Sequence, residues 1–510
     1  MGPVPGRRDL MAPAALAAAT ALAHIATAAD TYGIFRDELY YLACAEHLDF
    51  GYVDHPPLIA LIAWLARSLL GESLVALRTL PALAAGGTVF LTCLMARDLG
   101  GSRLAQSLAG IAAALAPVYV SIFGILSMNA FDVLLWTAGT LVLIRILGTG
   151  SGRLWPAFGL LAGIGLLNKI SVLFLGAGVV LGLAITPGRR HMMSPRFWMA
   201  GGVALALFAP HVIWQAAHGW PTLEFMANAT REKNLPLSPL DFLSAQAEMM
   251  NPVALPLFLA GLAFYLIAPT GRPYRALGWT FLAITAIMIT QRSKAYYLSP
   301  AYTMMFAPGA VMACRLAARR GWGWTAPGAL AAILISGIAW APLAKPLLPL
   351  DRYVAYAAML GEEPSTGERK ELGRLPQFFA DRIGWPELAS DTAGVLRSLP
   401  EADRRQACIF GQNYGQAGAV DFYGRGLGLA QAISGHNSYH LWGPRDCSGQ
   451  VVIVIGGSKD RLDRAFEQVE QAATHRCGDC MPYENDKPIW VCRRMKAPLD
   501  QVWPEIKHFD

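Results

Sequence analysis

Charged residues are scarce in this chain, and their scarcity decides its class. Asp, Glu, Lys and Arg make up 15% of the 510 residues, whereas 54% are hydrophobic and the mean hydropathy is +0.37. Soluble domains carry about 25% charged residues, so the composition excludes an ordinary soluble protein and predicts an integral membrane protein. Charged residues become frequent only towards the C-terminus. We therefore predict a membrane domain at 1–348, with a first outer loop at 30–74, and a soluble domain at 349–510.

Several nucleotide, nucleic-acid and metal motifs are also lacking. The segment GQNYGQAGA at 411–419 has no P-loop lysine, so it indicates a turn between a strand and a helix rather than a nucleotide-sugar site. The net charge of +6 predicts no nucleic-acid partner, because no zinc-finger spacing or aromatic RNA-binding motif accompanies it. No histidine pair has HExxH-type spacing. We interpret His55, His211 and His218 as interfacial or hydrogen-bonded, predict no certain cofactor, and leave use of a divalent metal open.

Apolar runs of about 20 residues, the length that crosses a bilayer, recur along the predicted membrane domain. The eleven candidate spans are 10–29, 75–96, 104–123, 128–147, 155–170, 172–187, 197–216, 251–269, 275–290, 296–314 and 323–345. The run 57–70 is too short to span. We interpret it as an interfacial helix, with Asp54 near its N-cap and Pro56 and Pro57 opening its first turn.

Basic residues in the short loops predict the orientation of the spans. They fall at alternate ends: Arg7 and Arg8; Arg97 and Arg103; Arg145 and Arg153; Arg189, Arg190 and Arg196; Arg272 and Arg275; Arg315, Arg319 and Arg320. By the positive-inside rule these ends are cytoplasmic, so the N-terminus is inside and the tail outside the inner (plasma) membrane. The N-terminal segment resembles a cleaved signal peptide, but we favour a retained first span.

The tail pattern predicts a small α/β domain. Strands are expected at 406–411, 451–457 and 488–494, and an amphipathic helix at 459–474, which together suggest a three-layer sandwich. The tail holds five of the eight cysteines, so complete internal pairing is impossible. We interpret CGDC at 477–480 as a structural disulfide or free thiols rather than a redox motif.

The segment FRDELYYLACAEHLDFGYVDHPPLIALIAW at 35–64 places several carboxylates beside an apolar span. Asp37 and Glu38 fit the first turn of a short helix, where carboxylates are favoured, so capping is one interpretation. A catalytic role is the other, because further charged groups occur at outer span ends. These are Asp132, Lys169, Arg292 and Lys294. A buried lone carboxylate is costly unless it is functional or paired; carboxylates can act as bases, and cations can hold phosphate.

The same segment resembles the first outer loop of membrane glycosyltransferases with the GT-C fold. It is most similar to glycosyltransferase family 39, which includes protein O-mannosyltransferases and lipid A aminoarabinose transferases. SMNAFDVLLW, GIGLLNKIS, HGWPTLEFM and KAYYLSPAY continue the resemblance over roughly residues 10 to 345. It implies a polyprenyl-phosphate sugar donor and an extracytoplasmic lipid, glycan or protein acceptor beside the lipid bilayer. It also implies a direct inverting displacement.

The resemblance also implies roles for particular residues. Asp37 matches the catalytic acid that serves as general base, and we predict that its neighbour Glu38 and Asp132 also act in catalysis, by orienting Asp37 or binding the acceptor. Asp132 matches a second acidic position loosely, because Phe131 stands where many relatives have proline. The residues that match donor phosphate-binding positions, or lie beside them, are Lys169, Arg292, Lys294, Tyr296 and Tyr297. We assign Tyr40 and His55 to positioning the acceptor or the loop.

The alternative is a transporter or flippase of a lipid-linked sugar, since intramembrane charges also mark transport paths. Transporters often have repeated halves, and the sequence shows no internal repeat. A transport path would also place charges near the midplane, whereas these fall at outer span ends. We therefore favour the enzyme.

Overall fold

The computed structural model describes residues 10–29 and 32–510, which form two compact units. Unit 1 comprises 66–213, 236–349 and the described residues up to 29. Unit 2 comprises 32–65, 214–235 and 350–510. Two segments that precede the tail in sequence therefore belong to the same compact unit as the tail. The predicted domain limits stay a prediction, and Arg7 and Arg8 lie outside the described residues.

Unit 1 is built from apolar α-helices. They are Met11–Ala26, Leu74–Asp98, Arg103–Ala114, Pro117–Ile122, Met128–Thr149, Trp155–Asn168, Val172–Ala184, Pro195–Ala217 (which continues into unit 2), Pro239–Met250, Leu255–Leu266, Arg275–Thr290, Tyr302–Arg320 and Thr325–Ala344. Each predicted span overlaps at least one of them. The span predicted at 104–123 is two helices, because Pro117 lacks the N–H that a continuous helix would need.

The number of spans is lower when length and apolarity are both required. In the described part of the chain four helices meet both conditions, and two further pairs do so only if each bent pair is counted as one span. The prediction of eleven spans is therefore not confirmed. The interruptions shorten individual helices, so an apolar run in the sequence need not be one straight helix.

Glycines allow close packing of the helices in unit 1. A Cβ at Gly261 would overlap the backbone of Met305, and a Cβ at Gly309 would overlap the backbone of Leu257. The helices Leu255–Leu266 and Tyr302–Arg320 thus touch backbone to backbone. Small residues at such contacts are typical of membrane helices, whose association depends on van der Waals packing.

The short apolar run within the predicted first outer loop is a helix, Leu58–Leu70. Its interfacial location stays a prediction. The proposed cap is wrong in detail: the Pro57 carbonyl accepts from the Leu61 N–H at 3.3 Å, so Pro57 occupies the N-cap position. The Asp54 carboxylate instead accepts from the Tyr40 hydroxyl at 2.8 Å. This hydrogen bond holds the Asp54 side chain at Tyr40 rather than at the start of the helix Leu58–Leu70.

Unit 2 combines helices with one mixed sheet. Its α-helices are Arg36–Glu46, Pro221–Asn228, Leu350–Met359, Gln377–Ala380, Trp385–Ser398, Glu401–Arg404, Tyr414–Tyr423, Ser438–Leu441, Lys459–Ala465 and Leu499–Val502. The strands are β1 (Ala407–Gly411), β2 (Val451–Ile455), β3 (Phe466–His475) and β4 (Lys487–Met495). The sheet order is β1-β2-β4-β3; β1 and β2 are parallel, and both other pairs are antiparallel.

The predicted helix at 459–474 is wrong beyond residue 465. The helix ends at Ala465, and Phe466–His475 forms β3, paired with β4. β3 is an edge strand and most of its residues are exposed or half-buried. It therefore lacks the regular alternation of a strand buried on one face, and pairing with β4 overrides its local preference.

Two disulfides lie in the tail. They join Cys408 to Cys447 and Cys477 to Cys480. The fifth tail cysteine, Cys492, is free and buried. The CGDC segment thus holds a disulfide, one of the two states predicted for it, and the odd cysteine is the one placed inside strand β4.

Candidate active site

One group of polar side chains in unit 1 lies where a helical segment is interrupted. The helices Trp155–Asn168 and Val172–Ala184 are separated by a short break that holds Lys169 and Ser171. The Ser171 hydroxyl lies within hydrogen-bond distance of both oxygens of Asp132, at 2.9 and 2.8 Å. Asp132 is 1% exposed. Its carboxylate is therefore enclosed and occupied by protein groups.

Lys169 is the cation of this group. Its Nζ lies 3.9 Å from Oδ2 of Asp132 and donates to the Asn129 side-chain oxygen at 2.6 Å. The same ammonium lies 4.5 Å from the ring centre of Tyr297 and 5.5 Å from that of Tyr296. Aromatic faces attract a cation at these distances. We call Asn129, Asp132, Lys169, Ser171, Tyr296 and Tyr297 the lysine group.

The other two predicted cations lie just before this tyrosine pair. Arg292 is exposed and adopts a positive φ of 51°, which turns the chain after the helix Arg275–Thr290. Lys294 is half-buried and precedes the 3₁₀-helix Ala295–Ala301, which carries both tyrosines. The structure therefore brings Lys169 together with Tyr296 and Tyr297, and it places Arg292 and Lys294 on the segment leading to them.

The predicted catalytic acids in unit 2 begin the helix Arg36–Glu46, which we call the loop helix. The Glu38 carboxylate accepts from the Phe35 N–H at 2.8 Å, and Glu38 is fully buried. It therefore satisfies one of the backbone donors left unpaired at a helix start. The capping interpretation is correct for Glu38, and the cap fixes the first turn that carries Asp37.

Asp37 differs from its neighbour in exposure. Its side chain is 37% exposed, and its Oδ1 accepts from the Tyr414 hydroxyl at 2.8 Å. The Nε of Arg36 lies 3.8 Å from the same oxygen. Among residues 10–29 and 32–510, no group donates to Oδ2. The carboxylate is thus held at one oxygen and accessible at the other.

Arg36, which contacts Asp37, is itself held by largely buried partners. The guanidinium lies 3.7 Å from Asp381 and contacts the Tyr483 hydroxyl. Tyr483 in turn donates to Asp381 at 3.1 Å. Burial raises the pKa of Asp381 to about 6, and the Arg36 guanidinium opposes that rise. We call Arg36, Asp37, Asp381, Tyr414 and Tyr483 the aspartate group.

Tyr40 and His55 lie inside unit 2. The Tyr40 hydroxyl bridges Asp54 and Ser438, at 2.8 and 2.7 Å. His55 is fully buried; one ring nitrogen lies 2.9 Å from the Pro56 carbonyl. Burial raises the pKa of Asp54. This geometry suits loop positioning better than contact with an acceptor.

The histidines do not assemble the metal site that was left open. His218 lies 2.8 Å from the Trp214 carbonyl, and His211 packs in unit 1 with its ring 5.1 Å from that of Phe208. Within the described ranges, one group of three potential ligands occurs: His436, His508 and Asp510. It suits a cation poorly, because Nδ1 of His436 accepts a backbone N–H at 3.2 Å. The proton of neutral His436 then sits on Nε2, the atom facing Asp510.

Sequence reasoning missed several members of both groups. Asn129 precedes Asp132 by one helical turn, so the two residues share a helix face and their proximity could have been predicted from the sequence. Ser171 follows Lys169 by two residues and lies at the break between the predicted spans 155–170 and 172–187, so its position was available from the sequence. Tyr414 lies 377 residues from Asp37, and its only local sign was a tyrosine among glycines.

Comparison with known proteins bears on the family and the fold. Residues 54–214 match the family described as dolichyl-phosphate-mannose-protein mannosyltransferase. Over 234 residues the chain is 24% identical to lipid A galacturonosyltransferase RgtD of Rhizobium johnstonii, covering 44% of this chain and 48% of RgtD. The chain therefore spans about half the length of that relative.

Solved structures share the fold over most of the chain. ArnT from Cupriavidus metallidurans, in a crystal structure bound to undecaprenyl phosphate, matches with a TM-score of 0.62 at 15% identity. The match covers 94% of this chain and 97% of ArnT, and the apo form of ArnT gives a TM-score of 0.60. The resemblance to GT-C membrane glycosyltransferases is confirmed, and the chain has the fold of a multi-pass membrane protein.

Proposed function

We propose that this chain is a membrane glycosyltransferase that moves a sugar from a polyprenyl-phosphate donor to an extracytoplasmic acceptor with inversion. The observation that carries the proposal is the carboxylate of Asp37, held at Oδ1 and open at Oδ2, on a chain with the GT-C fold. A general base needs this combination of fixed orientation and access to the proton it removes.

The donor phosphate is assigned to the lysine group. Lys169 is 12% exposed, whereas its counter-ion Asp132 is 1% exposed, so the ammonium is the more accessible partner. Charge-assisted contacts to phosphate stabilise the negative charge that grows as the sugar–phosphate bond breaks. Tyr296 and Tyr297 orient the ammonium, and we assign Arg292 and Lys294 to further phosphate contacts.

Asp132 receives a positioning role rather than that of base. Both of its oxygens already accept from Ser171, and Lys169 faces one of them. An enclosed carboxylate cannot reach an acceptor hydroxyl. Its negative charge can hold Lys169 in one orientation towards a donor.

The proposed reaction is a single displacement. Asp37 takes the proton of the acceptor hydroxyl, and the acceptor oxygen forms a bond to the anomeric carbon of the sugar. The bond from that carbon to the phosphate oxygen breaks, and its electron pair stays on the polyprenyl phosphate. The leaving group is a stable anion, so no strong general acid is required. Glu38 fixes the turn that carries Asp37, and Tyr40 and His55 hold the loop.

We further propose that the tail and the first outer loop lie outside the inner membrane, where a lipid, glycan or protein acceptor is available. Single cysteines at three exposed positions test this orientation: Arg190→Cys, Thr230→Cys and Gly426→Cys. They are introduced after the four free cysteines, Cys44, Cys93, Cys314 and Cys492, are replaced by alanine. An impermeant thiol reagent added to intact spheroplasts should label residues 230 and 426 but not residue 190. Labelling of residue 426 only after lysis would contradict an extracytoplasmic reaction.

The activity itself can be tested with purified protein. The parent chain, reconstituted in vesicles, is given a total lipid extract from the host envelope, and lipids are followed by mass spectrometry. We expect one polyprenyl-phosphate-linked sugar to be consumed. Free polyprenyl phosphate and an acceptor that is heavier by one sugar should appear at the same time. Movement of an intact lipid-linked sugar across the bilayer without transfer would instead support the flippase alternative.

A further inference from the structure

The glycine-rich segment GQNYGQAGA forms the start of a helix that packs directly on the loop helix. This helix, Tyr414–Tyr423, is called the tail helix. A Cβ at Gly415 would lie 2.7 Å from Cγ of Arg36, and a Cβ at Gly418 would lie 3.0 Å from Cβ of Leu39. Side chains at these positions would push the two helices apart. The glycines therefore allow a close approach of the tail helix to the residues around Asp37.

Tyr414 occupies the first turn of the tail helix, and its ring stacks on two other aromatic rings. Its ring stacks on Tyr40 with centres 4.7 Å apart, and on His436 with centres also 4.7 Å apart. Its backbone N–H donates to Nδ1 of His436 at 3.2 Å. Stacked aromatic rings and this hydrogen bond leave the phenol one orientation, and its hydroxyl reaches Asp37.

The start of the tail helix is itself anchored. The Asn413 side chain accepts from the N–H groups of Gly415 and Gln416 at 2.9 and 3.0 Å. The buried carboxylate of Glu484 accepts from the side chains of Asn413 and Gln416, both at 2.7 Å. The tyrosine is thus fixed through backbone, ring and neighbouring side chains.

We infer that Tyr414 is a positioning residue for the base Asp37, and that the start of the tail helix, residues 413–416, supports the catalytic residue of the first outer loop. The inference rests on the proposed function. By donating to Oδ1 at 2.8 Å, the phenol fixes the rotation of the carboxylate and leaves Oδ2 to receive the acceptor proton.

The test is Tyr414→Phe, which removes the hydroxyl and keeps the stacked ring. We expect kcat to fall about 10–150-fold, the range for one hydrogen bond to a charged group. The KM for the lipid donor should be unchanged, because no residue assigned to donor binding is altered.

Tyr439→Phe is the matched control. Tyr439 is also a buried tyrosine of unit 2, and its hydroxyl donates to a carboxylate, Asp421, at 2.8 Å. It makes no contact with Asp37. Both variants should lose similar thermal stability, but Tyr439→Phe should keep the parent kcat. Equal kcat in the two variants would overturn the inference, whatever their stability.

A double substitution separates this inference from the proposed function. In an Asp37→Asn background, Tyr414→Phe should lower kcat no further, because both changes act on one carboxylate. Full additivity would show that Tyr414 acts elsewhere and would overturn its positioning role. If Asp37→Asn turns over slowly while Tyr414→Phe keeps the parent rate, the proposed transferase function stands and the positioning role of Tyr414 is overturned. A parent rate in Asp37→Asn would overturn the base assignment, and Tyr414 would lose its role with it.

Discussion

The lysine group of unit 1 and the aspartate group of unit 2 use the same kinds of residue with opposite exposure. In the lysine group the carboxylate of Asp132 is 1% exposed and its cation, Lys169, is 12% exposed. In the aspartate group the cation, Arg36, is 11% exposed and the carboxylate of Asp37 is 37% exposed. The ion-pair distances are almost equal, 3.9 and 3.8 Å. One pair therefore presents a cation and the other presents a carboxylate.

The difference in exposure between the two ion pairs follows from which member of each pair, the cation or the carboxylate, is contacted by the surrounding residues. The Ser171 hydroxyl lies within hydrogen-bond distance of both oxygens of Asp132, and that carboxylate is only 1% exposed, so it is enclosed by protein groups. Tyr414 donates to one oxygen of Asp37 and leaves the second open. The cation of the second pair is held by Asp381 instead. A cation suits an anionic donor and an open carboxylate suits an acceptor proton, so the comparison assigns the two chemical roles.

The largest effect is expected from Asp37→Asn. Asparagine keeps the shape and the hydrogen-bonding capacity of the side chain but cannot take up the proton. Base catalysis typically contributes about 10²–10⁴-fold, so turnover should fall by that factor while donor binding persists. Asp49→Asn is the matched control, because Asp49 lies in the same loop and accepts from Trp214 at 2.7 Å. If both variants keep the parent turnover, the open oxygen of Asp37 has no catalytic role.

A smaller effect is expected from Lys169→Met, which removes the accessible cation but keeps much of the chain length. Charged hydrogen bonds contribute about 1.5–3 kcal/mol, so the affinity for the lipid donor should fall by roughly 10- to 150-fold. Binding of a radiolabelled polyprenyl phosphate measures this directly. Arg190→Met provides the control, since Arg190 is an exposed residue outside the lysine group. Unchanged affinity in Lys169→Met would remove Lys169 from donor binding.

A still smaller effect on turnover is expected from Asp132→Asn. The amide can still bind Ser171, but it no longer attracts Lys169, so donor affinity should weaken by less than in Lys169→Met. Turnover at saturating donor should fall by less than about tenfold, because Asp132 is assigned to hold Lys169 and takes no part in the proton transfer that base catalysis accelerates. Steady-state kinetics separate the two parameters. A fall of 10²-fold or more in turnover, with Asp37→Asn near the parent rate, would reverse the assignments and make Asp132 the base.

The sequence singled out three of the four residues in the two ion pairs, Asp132, Lys169 and Asp37, but not Arg36 or most of the surrounding residues. Apolar runs located the helices of unit 1, because burial in lipid requires continuous apolar segments. Asp37 and Lys169 were recognisable as charges beside such runs. Edge strand β3 was not recognisable, because its register depends on β4, which lies later in the chain. The Tyr414–Asp37 bond joins residues 377 positions apart, and no local pattern encodes such a contact.

The smallest effect is expected from Glu38→Gln. Glutamine can still accept from the Phe35 N–H, but it lacks the negative charge that is favourable at a helix start. We expect a loss of about 0.5–1 kcal/mol in the free energy of unfolding of unit 2, with turnover within about twofold of the parent. Thermal unfolding and transfer assays on the same preparation test this. A loss of turnover as large as that of Asp37→Asn would show that Glu38 acts on substrate rather than as a cap.

The central claim, sugar transfer that depends on Asp37, is tested most directly by mass spectrometry of the cell envelope. Glycolipids, glycans and glycoproteins are compared in cells that lack the chain, cells that carry the parent chain, and cells that carry Asp37→Asn at equal abundance. We predict one envelope component that bears an additional sugar only with the parent chain, and its unglycosylated form in the other two strains. The same sugar on the same component in the Asp37→Asn strain, at the parent level, would contradict the claim.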